Sequence, residues 1–253
     1  MKKILILIIL IYSCKKDKQD TKNTNIINDV CVSTNLKEKI EYTYDNNFVL
    51  GKFDYKKDTT FSKVDKIHSS KTLYINKEVY SSFIKMFNHA KKENIDLKII
   101  SGTRNFYEQK SIWERKWLKY QNLKPINRAL KILEYSSMPS TSRHHWGTDI
   151  DLNNLNNSYF ETGKGKKEYQ WLVKNAKTYG FTQVYTSKKN GRKGYNMEKW
   201  HWSYIPLSEK YLNFYNNKIK LRDISDFKGA KLAIELNVIQ IYVNGINKEM
   251  IIE

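Results

Sequence analysis

The sequence contains no apolar run long enough to cross a membrane. Its longest run, from Ile4 to Tyr12, has nine residues, whereas a helix needs about 20 to span the hydrocarbon layer. Two lysines precede the run, and Ser13 and Cys14 follow it, a pattern typical of a secretory signal with an apolar core of about 7 to 15 residues. We therefore predict that residues 1–14 are a signal peptide and that the protein acts outside the cytoplasm.

Cysteine is also scarce, with only Cys14 and Cys31 in the chain. The segment Ile11-Tyr12-Ser13-Cys14 resembles a bacterial lipobox, in which the cysteine becomes the lipidated first residue of the mature protein. This predicts a lipid anchor on Cys14, although the bulky Tyr12 leaves simple secretion or an uncleaved anchor as alternatives. Cys31 then has no partner for an internal disulfide, and we interpret it as an incidental thiol.

Acidic residues are outnumbered, because 45 Lys and Arg stand against 26 Asp and Glu, for a net charge of +19. The basic residues are spread along the chain rather than clustered, and this pattern fits codon bias as well as selection for a partner. Such a surface attracts polyanions in general. The sequence has no motif of interleaved basic and aromatic residues, so we predict no nucleic-acid partner.

The apolar pattern divides the chain into segments. Residues 15–47 are polar and lack periodicity, so we predict a tether and an entry segment there. Residues 48–210 alternate predicted helices at 77–94, 106–120, 125–135 and 166–179 with predicted strands at 97–100, 148–153, 181–186 and 198–204. This alternation predicts an α+β domain with a small antiparallel sheet flanked by helices. Residues 211–253 are predicted to form a helical extension of unknown role.

One predicted helix has a definite apolar stripe and a definite end. Tyr169, Leu172, Val173 and Ala176 fall on one face at helical spacing, so we expect all four to be buried. Gly180 follows, and glycine is the residue that most often ends a helix in the left-handed conformation.

Histidine is rare as well, and its distribution is informative. The chain has five histidines, of which His144, His145 and His201 lie in two short segments, 142–151 and 198–204. Two imidazoles and a carboxylate, with a fourth position open to water, form the usual ligand set of a hydrolytic zinc centre. Asp151 can complete such a set if Gly147 supplies a turn after His144.

Two further acidic residues accompany these histidines. After the turn, Asp149 and Asp151 share one face of a strand, so Asp149 is either a rival ligand or a partner of a ligand. Glu198 precedes His201 and could take a proton from metal-bound water and return it to a leaving amine. Upstream, Arg104 follows a predicted strand, where its guanidinium could bind a carboxylate bidentately.

Three motifs together resemble the VanY-type D-alanyl-D-alanine carboxypeptidases, a zinc peptidase family that shares its fold with the Hedgehog N-terminal domain. The resemblance covers about Phe48 to Pro206. The family pattern S-x-H-x-x-G-x-A-x-D is met by Ser142, His144, Gly147 and Asp151, and the pattern E-x-W-H-x-x-Y by Glu198, Trp200, His201 and Tyr204. The upstream pattern S-G-x-R, with a glutamine five residues later, is met by Ser101, Gly102, Arg104 and Gln109. One position departs, because Asp149 stands where the family usually has a small residue.

The resemblance implies one zinc ion on His144, Asp151 and His201, with Glu198 as the general base and acid. It implies that Arg104, Gln109 and Ser142 grip the substrate, and we predict Trp200 and Tyr204 as further substrate contacts. Trp200 and Trp202 flank His201 as candidate aromatic walls, although one of the two can equally pack beneath the site. The implied reaction is hydrolysis of the terminal D-Ala-D-Ala bond of peptidoglycan stem peptides, and we expect the enzyme to be a monomer.

Several other functions stay open at this point. An L,D-carboxypeptidase or an endopeptidase on the same polymer would use the same residues. A non-catalytic zinc-containing module that binds the envelope is a second alternative, and a metal nuclease built on His144, His145 and the aspartates is a third. The set of motifs around a Ser-x-x-Lys nucleophile is absent from the sequence, which argues against a penicillin-binding serine enzyme.

Overall fold

The computed structural model describes residues 44–250. The predicted signal peptide, Cys14, Cys31 and nearly all of the predicted tether lie outside the described residues. The helices are α1 (Asn46–Val49), α2 (Lys77–Lys92), α3 (Phe106–Lys119), α4 (Pro125–Ile132), α5 (Gly163–Asn175), α6 (Ile205–Lys218) and α7 (Leu232–Glu235). The strands are β1 (Phe61–Lys63), β2 (Tyr74–Asn76), β3 (Ile99–Ser101), β4 (Asp149–Leu152), β5 (Phe181–Gln183) and β6 (His201–Tyr204). The prediction of an α+β fold with a small antiparallel sheet is confirmed.

The strands form two antiparallel sheets. Strands β1 and β2 pair as a small ribbon, and the other four pair in the order β3-β4-β6-β5. The register in the larger sheet places Asp151 opposite His201 on one side and opposite Ser101 on the other. Segments that are far apart in the sequence therefore meet at the middle of this sheet.

Helix α3 begins directly behind Arg104, and its start is well defined. The Asn105 side chain accepts a hydrogen bond from the Glu108 backbone N–H, and the Glu108 carboxylate accepts one from the Asn105 N–H. This reciprocal capping box satisfies two of the N–H groups that a helix start leaves open. The cap fixes where the first turn of α3, which carries Gln109, lies relative to the end of β3.

Two groups of apolar side chains make up the core. One lies between the larger sheet and helices α2 and α5, and the other joins α3, α4 and α6 to the C-terminal segment. The predicted stripe of α5 is wrong at one position, because Val173 is 59% exposed while Trp171 is buried. A short 3-10 turn, Ala176–Tyr179, extends this helix, and Gly180 ends it in the left-handed conformation with φ of 80°.

The C-terminal segment is less helical than the pattern of residues 211–253 suggests. Beyond α6, the chain forms only α7 and short turns at Leu221–Asp223, Ile239–Val243 and Lys248–Met250. Ile234, on α7, is 64% exposed. The segment is nevertheless held by specific bonds, since the Trp113 indole donates to the Lys228 carbonyl at 2.8 Å.

No helix between residues 44 and 250 combines the length and the apolar character that crossing a membrane requires.

Candidate metal centre

The structure brings the three predicted metal ligands together. His144, Asp151 and His201 each offer a ligand atom within 4.8 Å of the other two. His144 Nε2 lies 3.4 Å from Asp151 Oδ2, and His201 Nδ1 lies 3.4 Å from Asp151 Oδ1. Two atoms bound at about 2.0–2.1 Å to a tetrahedral ion are about 3.4 Å apart. The spacing and the donor set therefore fit a zinc ion.

His144 owes its position to a turn that glycine makes possible. It lies in a 3-10 turn, Arg143–Trp146, that ends at Gly147 with φ of 69°, and a side chain at Gly147 would collide with the Phe61 ring. The Nδ1 atom of His144 is 2.9 Å from the Gly102 carbonyl oxygen. A carbonyl can only accept, so Nδ1 carries the hydrogen and Nε2 faces Asp151 with a free lone pair.

Asp151 is a buried carboxylate with one oxygen atom left unbonded, as expected of a metal ligand. Its Oδ1 atom is buried and has no hydrogen-bond partner among residues 44–250, and such an atom is costly unless something compensates it. Burial raises the pKa of the Asp151 carboxyl, but His144, His201 and Arg104 outweigh that effect and lower the pKa to about 2. Asp151 is therefore a carboxylate at neutral pH.

Glu198 lies beside the ligands in the turn before β6. Its backbone N–H donates to the Tyr185 carbonyl at 2.9 Å, and its Oε2 is 3.1 Å from His201 Nδ1. The side chain is buried, with the residue only 5% exposed. Burial raises the pKa of Glu198 above its ordinary value, and the neighbouring His201 opposes this. A base whose pKa is shifted upwards is better matched to proton transfer near neutral pH.

The site carries an excess of negative charge around His201. Burial lowers the pKa of this histidine, yet hydrogen bonds with Asp149 and Glu198 and the charge of Asp151 raise the pKa to about 10. Surrounding carboxylates raise the pKa of an imidazole because they stabilise its positive charge, and they would stabilise a divalent cation in the same way. The electrostatics thus agree with the ligand geometry.

Arg104 is held in a fixed orientation by neutral partners. Its Nε donates to Gln109 Oε1 at 3.1 Å and its Nη1 to Ser101 Oγ at 2.9 Å. Gln109 is itself anchored, since its Nε2 donates to the Ser137 carbonyl at 2.8 Å. Among the described residues, no carboxylate lies within ion-pair distance of Arg104. Its charge is therefore available to an anion from outside the protein.

These side chains line one cleft of about 560 Å³. The predicted residues on its wall are Arg104, Gln109, His144, Asp151, Glu198, Trp200 and His201. Two predicted substrate contacts, Ser142 and Tyr204, are not on the wall. Ser142 is buried, and the Tyr204 hydroxyl donates to Glu78 at 3.0 Å. Trp202 is buried and its indole donates to the Lys199 carbonyl, so it packs in the core while Trp200 faces the cleft.

The cleft also contains cations that the sequence analysis missed. Arg115 and Lys116 of α3 line it together with Ile112. The Lys116 ammonium contacts the Ser136 hydroxyl, and burial lowers the pKa of Lys116 while Glu198 opposes that effect. Lys116 lies seven residues after Gln109, a helical spacing that puts both on one face. The position of Gln109 in the motif could therefore have predicted that Lys116 also faces the cleft. Within the described chain, Arg115 forms no ion pair.

The structure decides between the two predicted roles of Asp149, a rival metal ligand or a partner of a ligand. Asp149 is not one of the three grouped ligands, and its Oδ2 lies 2.9 Å from Nε2 of His201, the ring nitrogen that does not face Asp151. It is therefore a partner of a ligand rather than a rival ligand.

A protein class follows from this fold and site, and the comparisons agree with it. The family model for VanY, D-alanyl-D-alanine carboxypeptidase, matches residues 72–207. The chain belongs to this family, as the sequence motifs predicted.

Two curated relatives are similar to this chain in sequence. It is 32% identical over 154 residues to the carboxypeptidase YodJ of Bacillus subtilis strain 168, covering 58% of this chain and 51% of YodJ. It is 27% identical over 167 residues to a D-alanyl-D-alanine carboxypeptidase of Enterococcus faecium, covering 66% of this chain and 48% of the relative. The chain thus spans about half the length of these curated relatives.

The solved structures show the same fold. One is VanYB in complex with D-alanine-D-alanine, with a TM-score of 0.50 and 21% identity over 66% of this chain and 87% of the other. The second is the LD-carboxypeptidase LdcB, with a TM-score of 0.51 and 24% identity over 68% of this chain and 78% of the other.

Proposed function

We propose that this protein is a zinc-dependent carboxypeptidase that hydrolyses the terminal D-Ala-D-Ala bond of peptidoglycan stem peptides. One observation carries the proposal: His144, Asp151 and His201 each offer a ligand atom within 4.8 Å of the other two, with Glu198 and Arg104 on the wall of the same cleft. Membership of the VanY family and the similarity to the Enterococcus faecium enzyme support the choice of substrate.

The chemistry of the proposed reaction divides between the metal and the protein. Zinc held by His144, Asp151 and His201 would act as a Lewis acid and lower the pKa of water to about 7. Glu198 accepts the proton of the attacking water and returns it to the amine of the leaving D-alanine. Its burial keeps it close to the reacting atoms and away from bulk solvent.

Substrate binding falls to the basic side of the cleft. Arg104 binds the terminal carboxylate with the N–H groups that Gln109 and Ser101 leave free. Arg115 and Lys116 extend the positive wall, which suits a peptide that carries further carboxylates. The Trp200 ring lies 6.3 Å from the Tyr135 ring, and this aromatic pair can shield the reacting bond from water.

The size of the cleft is also compatible with a second candidate activity. A cavity of about 560 Å³ falls within the common range for ligand sites of about 300–1,000 Å³, and it leaves room for more of the stem than a terminal dipeptide. L,D-carboxypeptidase or endopeptidase activity on the same polymer is therefore the second candidate. A purely binding module is less well supported, since it has no use for a buried carboxylate such as Glu198 beside the ligands.

The location follows from the sequence and the family. We propose that Cys14 carries a lipid anchor and that the enzyme works as a monomer in the cell envelope, with no nucleic-acid partner. Labelling with a fatty-acid analogue should mark the native chain, and Cys14→Ala should abolish the label and release the protein from membranes. A labelled Cys14→Ala chain would contradict the anchor.

The activity is tested with zinc-loaded protein and purified muropeptides, analysed by mass spectrometry. We expect loss of one alanine from pentapeptide stems. Glu198→Ala should retain zinc but lose about 10²–10⁴-fold in turnover, and His201→Ala should lose the metal. Glu235→Ala and His89→Ala are matched controls, because Glu235 is exposed, His89 is partly exposed, and both lie off the cleft wall.

Two results would overturn this proposal. The first is a folded Glu198→Ala protein with near-native turnover, which would remove the proposed base. The second is a native protein that takes up zinc yet leaves all stem peptides intact. A different mass loss, such as cleavage between an L- and a D-residue, would instead favour the second candidate.

A further inference from the structure

Asp149 is buried and has used all of its hydrogen-bonding capacity. Its Oδ2 accepts a hydrogen bond from Arg143 Nε at 2.8 Å and lies 2.9 Å from His201 Nε2. Its Oδ1 accepts from Thr148 Oγ1 at 2.8 Å and from Ser203 Oγ at 2.6 Å. Two carboxylate oxygens offer about four acceptor sites, so none remains for a metal ion.

These contacts determine how His201 presents itself. A carboxylate can only accept, so His201 Nε2 must carry the hydrogen that points to Asp149. Nε2 is thereby committed to Asp149, and Nδ1, which lies 3.4 Å from Asp151 Oδ1 and 3.1 Å from Glu198 Oε2, is the nitrogen left to bind a metal ion once it gives up its proton. Partners of this type fix both the tautomer and the ring orientation of a metal-binding histidine.

The two histidine ligands are oriented by different means. The backbone carbonyl of Gly102 orients His144, whereas a charged side chain orients His201. The family pattern usually has a small residue at the position of Asp149, so the motif itself does not supply this contact.

A third carboxylate at the site needs a counter-ion, and Arg143 supplies it. Arg143 is buried against the Trp146 ring, with its guanidinium carbon 4.8 Å from the ring centroid. Besides Asp149, it donates from Nη2 to Ser203 Oγ at 2.8 Å. Ser203 in turn donates to Asp149, so the three side chains form a closed network in which one buried cation balances one buried anion.

We propose that Asp149 is a positioning residue for the metal ligand His201, and that Arg143 is the counter-ion that allows this carboxylate to lie beside the ion without binding it. The inference rests on the proposed zinc site. It adds Asp149 and Arg143 to the three ligands and Glu198 as residues that the zinc site of this chain requires.

The obvious variant, Asp149→Ala, is ambiguous because it leaves Arg143 buried without its partner, and loss of one partner of a buried pair is strongly destabilising. A matched pair of double variants avoids this problem. Arg143→Met with Asp149→Ala removes both charges and the acceptor. Arg143→Met with Asp149→Asn removes both charges but keeps a side-chain carbonyl that can accept from His201 Nε2.

Zinc affinity, measured by competition with a chelator, is the first readout, and thermal unfolding of each variant is the check on folding. We expect the Asp149→Ala double variant to bind zinc about 10–100-fold more weakly than the native chain. The Asp149→Asn double variant should recover most of that loss. Equal affinities in the two folded double variants would overturn the inference and leave the proposed function intact.

A second measurement needs no variant. In zinc-loaded native protein labelled with ¹⁵N-histidine, NMR should show His201 with the metal on Nδ1 and a slowly exchanging proton on Nε2. A metal on Nε2, or a rapidly exchanging Nε2 proton, would overturn the role of Asp149. A native chain that takes up no zinc would overturn this inference together with the proposed function.

Discussion

Replacing Arg104 by lysine tests how the protein holds the end of its proposed substrate. The charge is retained, but the planar fork is lost. In the native protein, Gln109 and Ser101 each accept one hydrogen bond from the guanidinium, at 3.1 and 2.9 Å, and they fix its plane. A lysine ammonium can neither span both partners nor offer two parallel N–H groups to a carboxylate.

The size of the effect follows from the number of bonds at stake. A bidentate grip loses one of its two charge-assisted hydrogen bonds in Arg104→Lys, and each such bond contributes about 1.5–3 kcal/mol. At about 1.4 kcal/mol per tenfold change, this corresponds to a fall in kcat/KM of roughly 10- to 150-fold. Arg104→Ala should cost more, because the remaining bond and the charge are both lost.

The assay compares two peptides that differ only at their C-terminus. One ends in a free D-Ala-D-Ala carboxylate and the other in the corresponding carboxamide. If the proposed function holds, the native protein should strongly prefer the acid, and Arg104→Lys should lose activity on the acid while changing little on the amide. If both peptides lose activity equally, Arg104 does not bind the terminal carboxylate and the proposed grip is wrong.

Two further predictions concern single side chains. Lys116→Met should raise KM for a stem peptide with an additional carboxylate several-fold more than for its amidated counterpart. Lys119→Met, on the same helix but off the cleft wall, should not. An equal rise in KM for both peptides in Lys116→Met would contradict the role of Lys116. Burial, reinforced by Lys98 and opposed by Asp65, lowers the pKa of His68. Its folded-state pKa is therefore below the unfolded value of about 6.5, so the stability that neutral His68 provides is complete above that pH and is lost as the pH falls below it. Urea unfolding should show a smaller loss of stability between pH 7.5 and 5.5 in His68→Gln, and an unchanged loss would refute this assignment.

The sequence allowed much of the fold and the proposed ligand set to be predicted, because both depend on local patterns. Alternation placed Asp149 and Asp151 on one face of β4, and Gly147 marked the turn that separates His144 from that strand. The rarity of histidine made the two segments conspicuous. The antiparallel register then brought Asp151 and His201 opposite each other.

Errors arose where the outcome depends on distant neighbours. The stripe of α5 was rotated slightly, since the helix buries Trp171 and Glu168, whose carboxylate accepts from Tyr159, and leaves Val173 exposed. Periodicity alone does not show which of two adjacent stripes meets the core. Tyr204 was expected at the substrate because it belongs to a motif, but its hydroxyl reaches Glu78 on α2 instead.

The role of Asp149 could be narrowed to two options from the sequence but not decided. A carboxylate on the same face as a ligand can bind the ion or bind a ligand, and the choice depends on what occupies its oxygens. Three of its partners, Arg143, Thr148 and Ser203, come from two separate segments. Only their packing shows that the carboxylate is fully occupied.

Residues 211–250 bear on how the wall of the cleft is supported. The Tyr195 ring, part of the cleft wall, packs edge-on against Tyr242 at 5.0 Å, and Arg192 donates to the Gly245 carbonyl. Both partners come after all three proposed zinc ligands in the sequence. The ligands can therefore be present in a chain that still lacks these supports, and removing residues 239–250 would leave Tyr195 without the ring that backs it on the cleft wall.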